Sequence, residues 1–349
     1  MPAALRRVAD RPRHRDDALF WQFPARTEAA ASERHALVQE APREGSVVHT
    51  YLGLPWATWI DQRLHPLSRH HGSDAPEVRQ ELMMQRVRIS GLRRALRECG
   101  LVLRVHTVCQ HIEWRAFLPE WQMLGVSDLW LSHAPVDGSP GHIALHPWRL
   151  YAVNVEEPDR TEGLQFGRDP STKPLLASFV GAHMPHYLSD VRLRLRAFAG
   201  HPRMHVHVTD KWHFEDAVYQ HQIGGRPLAG DASAADAVRT YNRMLSDSVF
   251  ALCPAGAGRN TLRLWEALAV GSVPVILGPA PQLPRGGSLP AIDWDAIVLR
   301  IEDQQLPELP HILASWPMED VRRRQALGMA AFAQVRAQCC FLVPDNPST

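Results

Sequence analysis

Lysine is almost missing from this sequence: of 38 basic residues only Lys173 and Lys211 are lysines. Nearly every cation is therefore an arginine, a planar fork suited to phosphates and carboxylates. A surplus of positive charge is missing too. The 38 Lys+Arg stand against 37 Asp+Glu, a formal net charge of +1, so the basic stripe and the pI above about 9 that mark a nucleic-acid binder are not there. Cysteine is sparse. Cys99, Cys109, Cys253, Cys339 and Cys340 show no CxxC spacing and are odd in number, which argues against a disulfide framework or a zinc ribbon and for reduced, buried thiols. No run of about 18 apolar residues occurs, and the opening stretch MPAALRRVADRPRHRDDALFWQF mixes both charge signs without an apolar h-region. A cytoplasmic protein is expected, with loose attachment at the inner face of the membrane left open. Internal repeats and low-complexity tracts are also lacking.

What is present is an ordinary globular composition, 45% apolar and 21% charged over 349 residues. That length exceeds one domain of about 100–200 residues and suggests two α/β lobes, each with a buried core. Residues 1–44, rich in Arg, Ala, Glu and Pro, are expected to form a poorly ordered extension. Residues 45–165 read as a first lobe, with strands at Val47–Leu52, Leu101–Thr107 and Asp128–Ser132, a loop GLPWATWID and a helix at Pro76–Glu98. A polar linker falls at Asp159–Lys173. Residues 166–315 read as a second lobe with strands at Leu175–Val180, Met204–Val208, Val249–Cys253, Val273–Leu277 and Ile297–Ile301. Helices are expected at Ala234–Leu245, Thr261–Val270 and Pro307–Ser315. Another carries an apolar stripe of Leu188, Val191, Leu195 and Phe198, with Arg192, Arg194 and Arg196 turned elsewhere. Residues 316–349 hold a last helix, Glu319–Ala337, expected to pack back across the lobes. Strand and helix alternation of this kind builds parallel sheets.

The most informative stretch is SVFALCPAGAGRNTLRLWEALAVGSVPVIL, Ser248–Leu277. It reads strand, glycine-bearing loop, helix, strand. Such a loop sets backbone N–H groups and a helix N-terminus at the edge of a sheet, where a phosphate can be held. Gly256 and Gly258 allow close backbone approach, and helical spacing puts Arg259, Arg263 and Glu266 on one polar stripe. An arginine fork beside such a loop suits a diphosphate, and a carboxylate one turn on suits ribose hydroxyls. The lysine of a Walker loop is missing and the dinucleotide fingerprint GxGxxG is only half met, which disfavours a Rossmann oxidoreductase or epimerase. The plain alternative is a surface ion pair between Arg263 and Glu266, three residues apart.

The same stretch is similar to the C-terminal signature of the exostosin family of glycosyltransferases: a strand ending in Pro-x-Gly, an Arg-rich helix with an acidic residue, an Ala-Leu pair and Gly-x-x-Pro-Val. SFVGAHMPHYLSDVRLRL resembles that family's first C-lobe strand and helix, with Gly181 at the turn and Arg192 on the helix. LPWATWID, HTVCQHI and GVSDLWLSH resemble a bacterial branch. The resemblance spans roughly residues 47–315 and is concentrated between 175 and 278. It implies a GT-B architecture of two Rossmann-like lobes across a cleft, a nucleotide-diphosphate sugar as donor, UDP-linked by expectation, and inverting transfer to a saccharide acceptor in surface polysaccharide or glycan synthesis. Hexosyl and glycuronosyl transfer both fit. Arg263 and Arg192 would meet the donor phosphates, Glu266 the ribose, and Gly181, Gly256 and Gly258 the close backbone approach. Arg259 departs from the small residue usual at its position.

Inverting transfer needs a base for the acceptor hydroxyl and neutralisation of the departing diphosphate. The base is sought among Asp61, His111, Glu113 and His133, with His111 and Asp61 preferred. No cofactor is expected, and a metal-free site is expected in place of the DxD site of GT-A enzymes. Trp56 and Trp59 read as core rather than as a sugar platform. His205 and His207 share a strand face without an evident third ligand, and His70 and His71 read as loop residues. Glu302 and Asp303 read as a helix start or cap. A second function class stays open: a non-catalytic nucleotide-sugar or saccharide binding protein on the same lobes.

Overall fold

Short apolar strands separated by helices resolve into two sheets in the computed structural model, which describes residues 25–36, 43–136, 141–212, 215–224, 232–284 and 291–340. In the first lobe, β1 (Arg43–Glu44) forms a hairpin with β2 (Val47–Tyr51). β2 then runs parallel to β3 (Val102–Cys109), β3 to β4 (Asp128–Leu131), and β4 to β5 (Ala144–Pro147). The second sheet has the order β10-β9-β8-β6-β7 and is parallel throughout, built from β6 (Leu175–Ala182), β7 (Met204–Thr209), β8 (Ser248–Pro254), β9 (Val273–Leu277) and β10 (Leu299–Ile301). Every residue of β8 and β9 is buried, as a parallel sheet covered on both faces requires.

Ten α-helices among the described residues flank these sheets: α1 (Arg26–Ala36), α2 (Trp56–Leu64), α3 (Pro76–Glu98), α4 (Leu118–Leu124), α5 (Val153–Glu156), α6 (Val191–Arg194), α7 (Ala232–Asp247), α8 (Leu262–Val270), α9 (Leu309–Ala314) and α10 (Met318–Ala337). The first-lobe core joins Leu103, Val105 and Leu129 to Trp56, Trp59 and Ile60 of α2 and to Leu82, Ile89 and Leu96 of α3. In the second lobe, Leu252 and Val275 face Val191, Leu195 and Leu309, while Cys253 and Ile276 face Leu264, Trp265 and Phe332 on the other side. Alternate residues of each strand thus supply two separate cores. α8 ends where Gly271 takes a left-handed φ of 88°, and its carbonyl accepts from the buried Lys173 and from Gln325.

Three elements depart from the sequence reading. The tryptophan segment taken as a loop is the helix α2, with seven of its nine residues buried, so no polar face marks its period. Trp56 and Trp59 are core, and Trp56 donates to Thr107 Oγ1 at 2.7 Å. The extension at 1–44 is not loose throughout: α1 docks with Thr27, Glu28, Ala31, Ser32 and His35 buried, while residues 1–24 and 37–42 lie outside the described residues. The expected stripe helix is only the single turn α6, followed by a 3₁₀ turn at Leu195–Phe198. Leu188 lies ahead of it and is exposed, and Arg192 is buried rather than turned away. After α10, Cys340 packs against Val108, Trp130 and Trp148 of the first lobe.

Candidate active site

In the second sheet the chain leaves β6 toward β7 on one side and β8 on the other. At such a topological switch point the loops beyond the strand ends part, and open α/β sheets bind ligands in the crevice they leave. A cavity of about 730 Å³ lies there between the lobes. Its floor includes Gly181 and Ala182 from the end of β6, the loop Gly256–Gly258 after β8, and Asn260, Thr261, Leu262, Arg263 and Glu266 at the start of α8. No side chain caps α8 at Thr261, and Leu262 and Arg263 of its first turn line the cavity.

Arg192 closes the gap between the two strands. Its Nε donates to Ala255 O at 2.9 Å, Nη1 to Ala182 O at 2.7 Å and Nη2 to Pro254 O at 3.1 Å. Arg263 donates to Val180 O and lies over the Phe179 ring at 4.4 Å. Neither guanidinium has a carboxylate partner among the described residues, and both line the cavity. Burial, with the charge of Arg263 beside it, brings Arg192 down to about 10. Two cations held by carbonyls and aromatic faces, with no carboxylate beside them, create a site that an anion neutralises.

Glu266 is also buried at the cavity. Its Oε1 accepts from Asn154 N–H at 3.1 Å and Oε2 from Tyr241 O–H at 2.6 Å. The surface ion pair with Arg263 is therefore not formed. Arg259 is exposed and does not line the cavity, since α8 begins only at Leu262. The glycines act more indirectly than expected. A Cβ on Gly181 would lie 3.1 Å from Arg263 Nη2, and one on Gly256 would lie 2.9 Å from Arg192 Nη2, so each makes room for an arginine. A Cβ on Gly258 would overlap the His133 ring, making this glycine an interlobe contact. The Gly256 N–H is spent on Gly258 O at 3.0 Å.

On the opposite wall the two preferred base candidates prove to be partners. His111 Nε2 lies 3.1 Å from Asp61 Oδ1, and His111 Nδ1 accepts the Glu113 N–H at 2.9 Å. An acceptor Nδ1 puts the neutral ring's proton on Nε2, where it donates to Asp61. Both residues line the cavity, and Glu113 is exposed outside it. His133 also lines it, with Nδ1 buried and unpartnered, and burial holds its imidazole down to about 3, far from a working base at neutral pH.

Residues that sequence reasoning missed join the walls. Asn260 donates to Ser132 O at 2.9 Å and accepts from Trp265 Nε1 at 2.9 Å, tying the loop after β8 to the first lobe. His65 stacks on Tyr219 with centroids 4.3 Å apart, a second bridge between lobes. Arg26, from α1, lines the cavity as well. His207 reaches it from β7, and among the described residues no group of three or more His, Cys, Asp or Glu could hold a metal ion. His71 lies in an exposed turn, His70 is half-buried beside it, and Glu302 forms a capping box with Gln305. The chain does contain one DxD triplet, Asp293-Trp294-Asp295. It serves a turn: Asp293 accepts from Ala296 N–H, Trp294 is buried, and Asp295 faces Arg300, all outside the cavity.

The cavity thus sets two arginines opposite a carboxylate and imidazole pair. Residues 143–316 match the exostosin GT47 domain. A probable glucuronosyltransferase of Oryza sativa subsp. japonica is 38% identical over 108 residues, 31% of this chain and 24% of that protein. The probable β-1,4-xylosyltransferase IRX10 of Arabidopsis thaliana is 34% identical over 108 residues, 31% of this chain and 25% of its own. The exostosin match thus falls mainly on the second lobe and covers just under half of the chain. The matches span about a quarter of those relatives' length. The relatives are plant proteins, so the bacterial-branch resemblance gains no support from them. Among solved structures, TarM covers 85% of this chain and 59% of its own at 10% identity and TM-score 0.33, too remote to bear on the exostosin assignment. No helix among the described residues is long and apolar enough to cross a membrane.

Proposed function

We propose that the chain is an inverting glycosyltransferase that takes its sugar from a nucleotide diphosphate donor, with UDP the first nucleotide to test. The observation that carries this reading is the pair of guanidiniums, Arg192 and Arg263, without carboxylate partners at the switch point of the second sheet, across one cavity from Asp61 and His111. The donor diphosphate sits on the two arginines and the first turn of α8, and its ribose meets Glu266. The acceptor hydroxyl approaches from the first-lobe wall. Asp61 Oδ2 takes its proton while His111 Nε2–H holds Oδ1. As the new bond to the anomeric carbon forms, the bond to the diphosphate oxygen breaks and its electron pair leaves on the phosphate. Arg192, Arg263 and the helix N-terminus neutralise that charge, a task preorganised donors perform without reorganisation and without a metal. The names of the relatives make glucuronosyl and xylosyl donors the first candidates, and the acceptor is a saccharide of a surface polysaccharide or other glycan. A cytoplasmic setting with peripheral membrane contact belongs to the same proposal.

The test is UDP release from UDP-glucuronic acid and UDP-xylose with a panel of oligosaccharides. Asp61→Asn is expected to lower turnover by about 10²–10⁴-fold, the usual contribution of a general base, with UDP affinity unchanged. Binding of UDP without release from any donor would favour the non-catalytic binding reading instead.

A further inference from the structure

The base pair proposed above sits on two separate elements, α2 and the loop just after β3, which one buried bond already joins away from the pair, Trp56 Nε1–H to Thr107 Oγ1 at 2.7 Å. A third element joins them again, next to the pair itself. Glu28 of α1 is fully buried, and its Oε1 accepts from Ala57 N–H at 3.1 Å and from Gln110 N–H at 3.2 Å. Ala57 is the second residue of α2, one helical turn before Asp61, and α2 has no side-chain cap of its own, its N-cap being Pro55. Gln110 immediately precedes His111. One carboxyl oxygen thus grips the helix start behind Asp61 and the backbone beside His111. The next residue back in α1 tightens the same joint: Thr27 N–H donates to Gln110 Oε1 at 3.0 Å, and Thr27 Oγ1 accepts from Tyr151 N–H at 3.0 Å.

From this geometry we infer that Glu28 is the positioning residue that holds Asp61 and His111 in register. α1 lies wholly outside residues 143–316, so the exostosin match does not include it. Glu28 itself does not line the cavity and touches no substrate. Its other oxygen, Oε2, is buried without a partner, which favours an uncharged carboxyl. Burial pushes that carboxyl up to about 8, and Asp61 adds to the rise. The oxygen that accepts is what matters, so an amide can replace the acid.

This inference rests on the Asp61 and His111 reading, and the experiment separates the two. The full chain is prepared as Glu28→Gln, Glu28→Ala and Asp61→Asn, and as the double variant of the last two. The His111 ring is followed by ¹H–¹⁵N correlation, assigned by the signal lost in His111→Gln. UDP affinity and turnover of UDP-glucuronic acid are read in parallel. Glu28→Ala should shift the His111 ring signals and lower kcat about tenfold or more, with UDP affinity within about twofold of the parent. Glu28→Gln should restore the ring signals and kcat to near-parent values even where Glu28→Ala fails to fold. In the Asp61→Asn background, Glu28→Ala should cost nothing further. Unmoved His111 signals in Glu28→Ala, or Glu28→Gln as impaired as Glu28→Ala, overturn the positioning role while Asp61 stands. Parent-level turnover in Asp61→Asn overturns the base reading itself.

Discussion

Arg263 can be removed with a calculable result. In Arg263→Met the side chain keeps an apolar stem and loses the guanidinium. A charge-assisted contact to phosphate is worth about 1.5–3 kcal/mol, which at about 1.4 kcal/mol per decade raises the Kd for UDP by roughly 10- to 150-fold. The fold is less exposed to the change. Val180 O loses a hydrogen bond worth about 1 kcal/mol, offset in part because Arg192 no longer faces a second positive charge. Titration calorimetry with UDP reads the affinity, and urea unfolding reads the stability. Parent and variant should also differ in salt response, because only the parent brings the full charge to the diphosphate. A Kd within about twofold of the parent, in a variant that remains folded, would refute the assignment of the two arginines to the donor phosphates.

Three other outcomes can be checked. Gly258→Ala pushes a methyl into the His133 ring and should destabilise by about 1–3 kcal/mol in urea unfolding, with the loss largely recovered in the His133→Ala background. Glu266→Gln should erase the preference for UDP over 2′-deoxy-UDP, since the carboxylate is assigned to the ribose; calorimetry with both nucleotides reads it. Acid should weaken the fold through His35, whose Nδ1 faces Ala31 O and whose Nε2 accepts the Cys340 N–H. Burial holds His35 down to about 4 from an ordinary 6.5. The unfolded chain then binds the extra proton between those values, so this contribution is complete above pH 6.5 and lost as the pH falls toward 4, about 3 kcal/mol in all. His106 and His133, each held down to about 3, act in the same direction. Urea midpoints from pH 7 to pH 4.5, with His35→Gln flattening part of the slope, measure the share of His35.

The second sheet was legible because its strands are short apolar runs set between turn residues, and the loop and helix after β8 follow the sequence spacing closely. α2 was not, because a helix buried on nearly every side has no polar phase to reveal its period. α1 failed for the opposite reason: most of its buried positions, Thr27, Glu28, Ser32 and His35, are polar, so its contact face looks like a solvated one. Arg192 was named as a cation for an expected phosphate edge, but its burial depends on the carbonyls of Ala182, Pro254 and Ala255, which no local pattern encodes. Asp61 and His111 were each named, yet their pairing depends on how α2 stands beside the end of β3.

The amide of Asn260 has a mechanical consequence. It pins the loop after β8 to Ser132 of the first lobe, while a separate interlobe contact is made by the stacked rings of His65 and Tyr219. A swing that keeps the Asn260 bond pivots about that point, so the lobes part more readily where the two rings meet and the loop after β8 travels least.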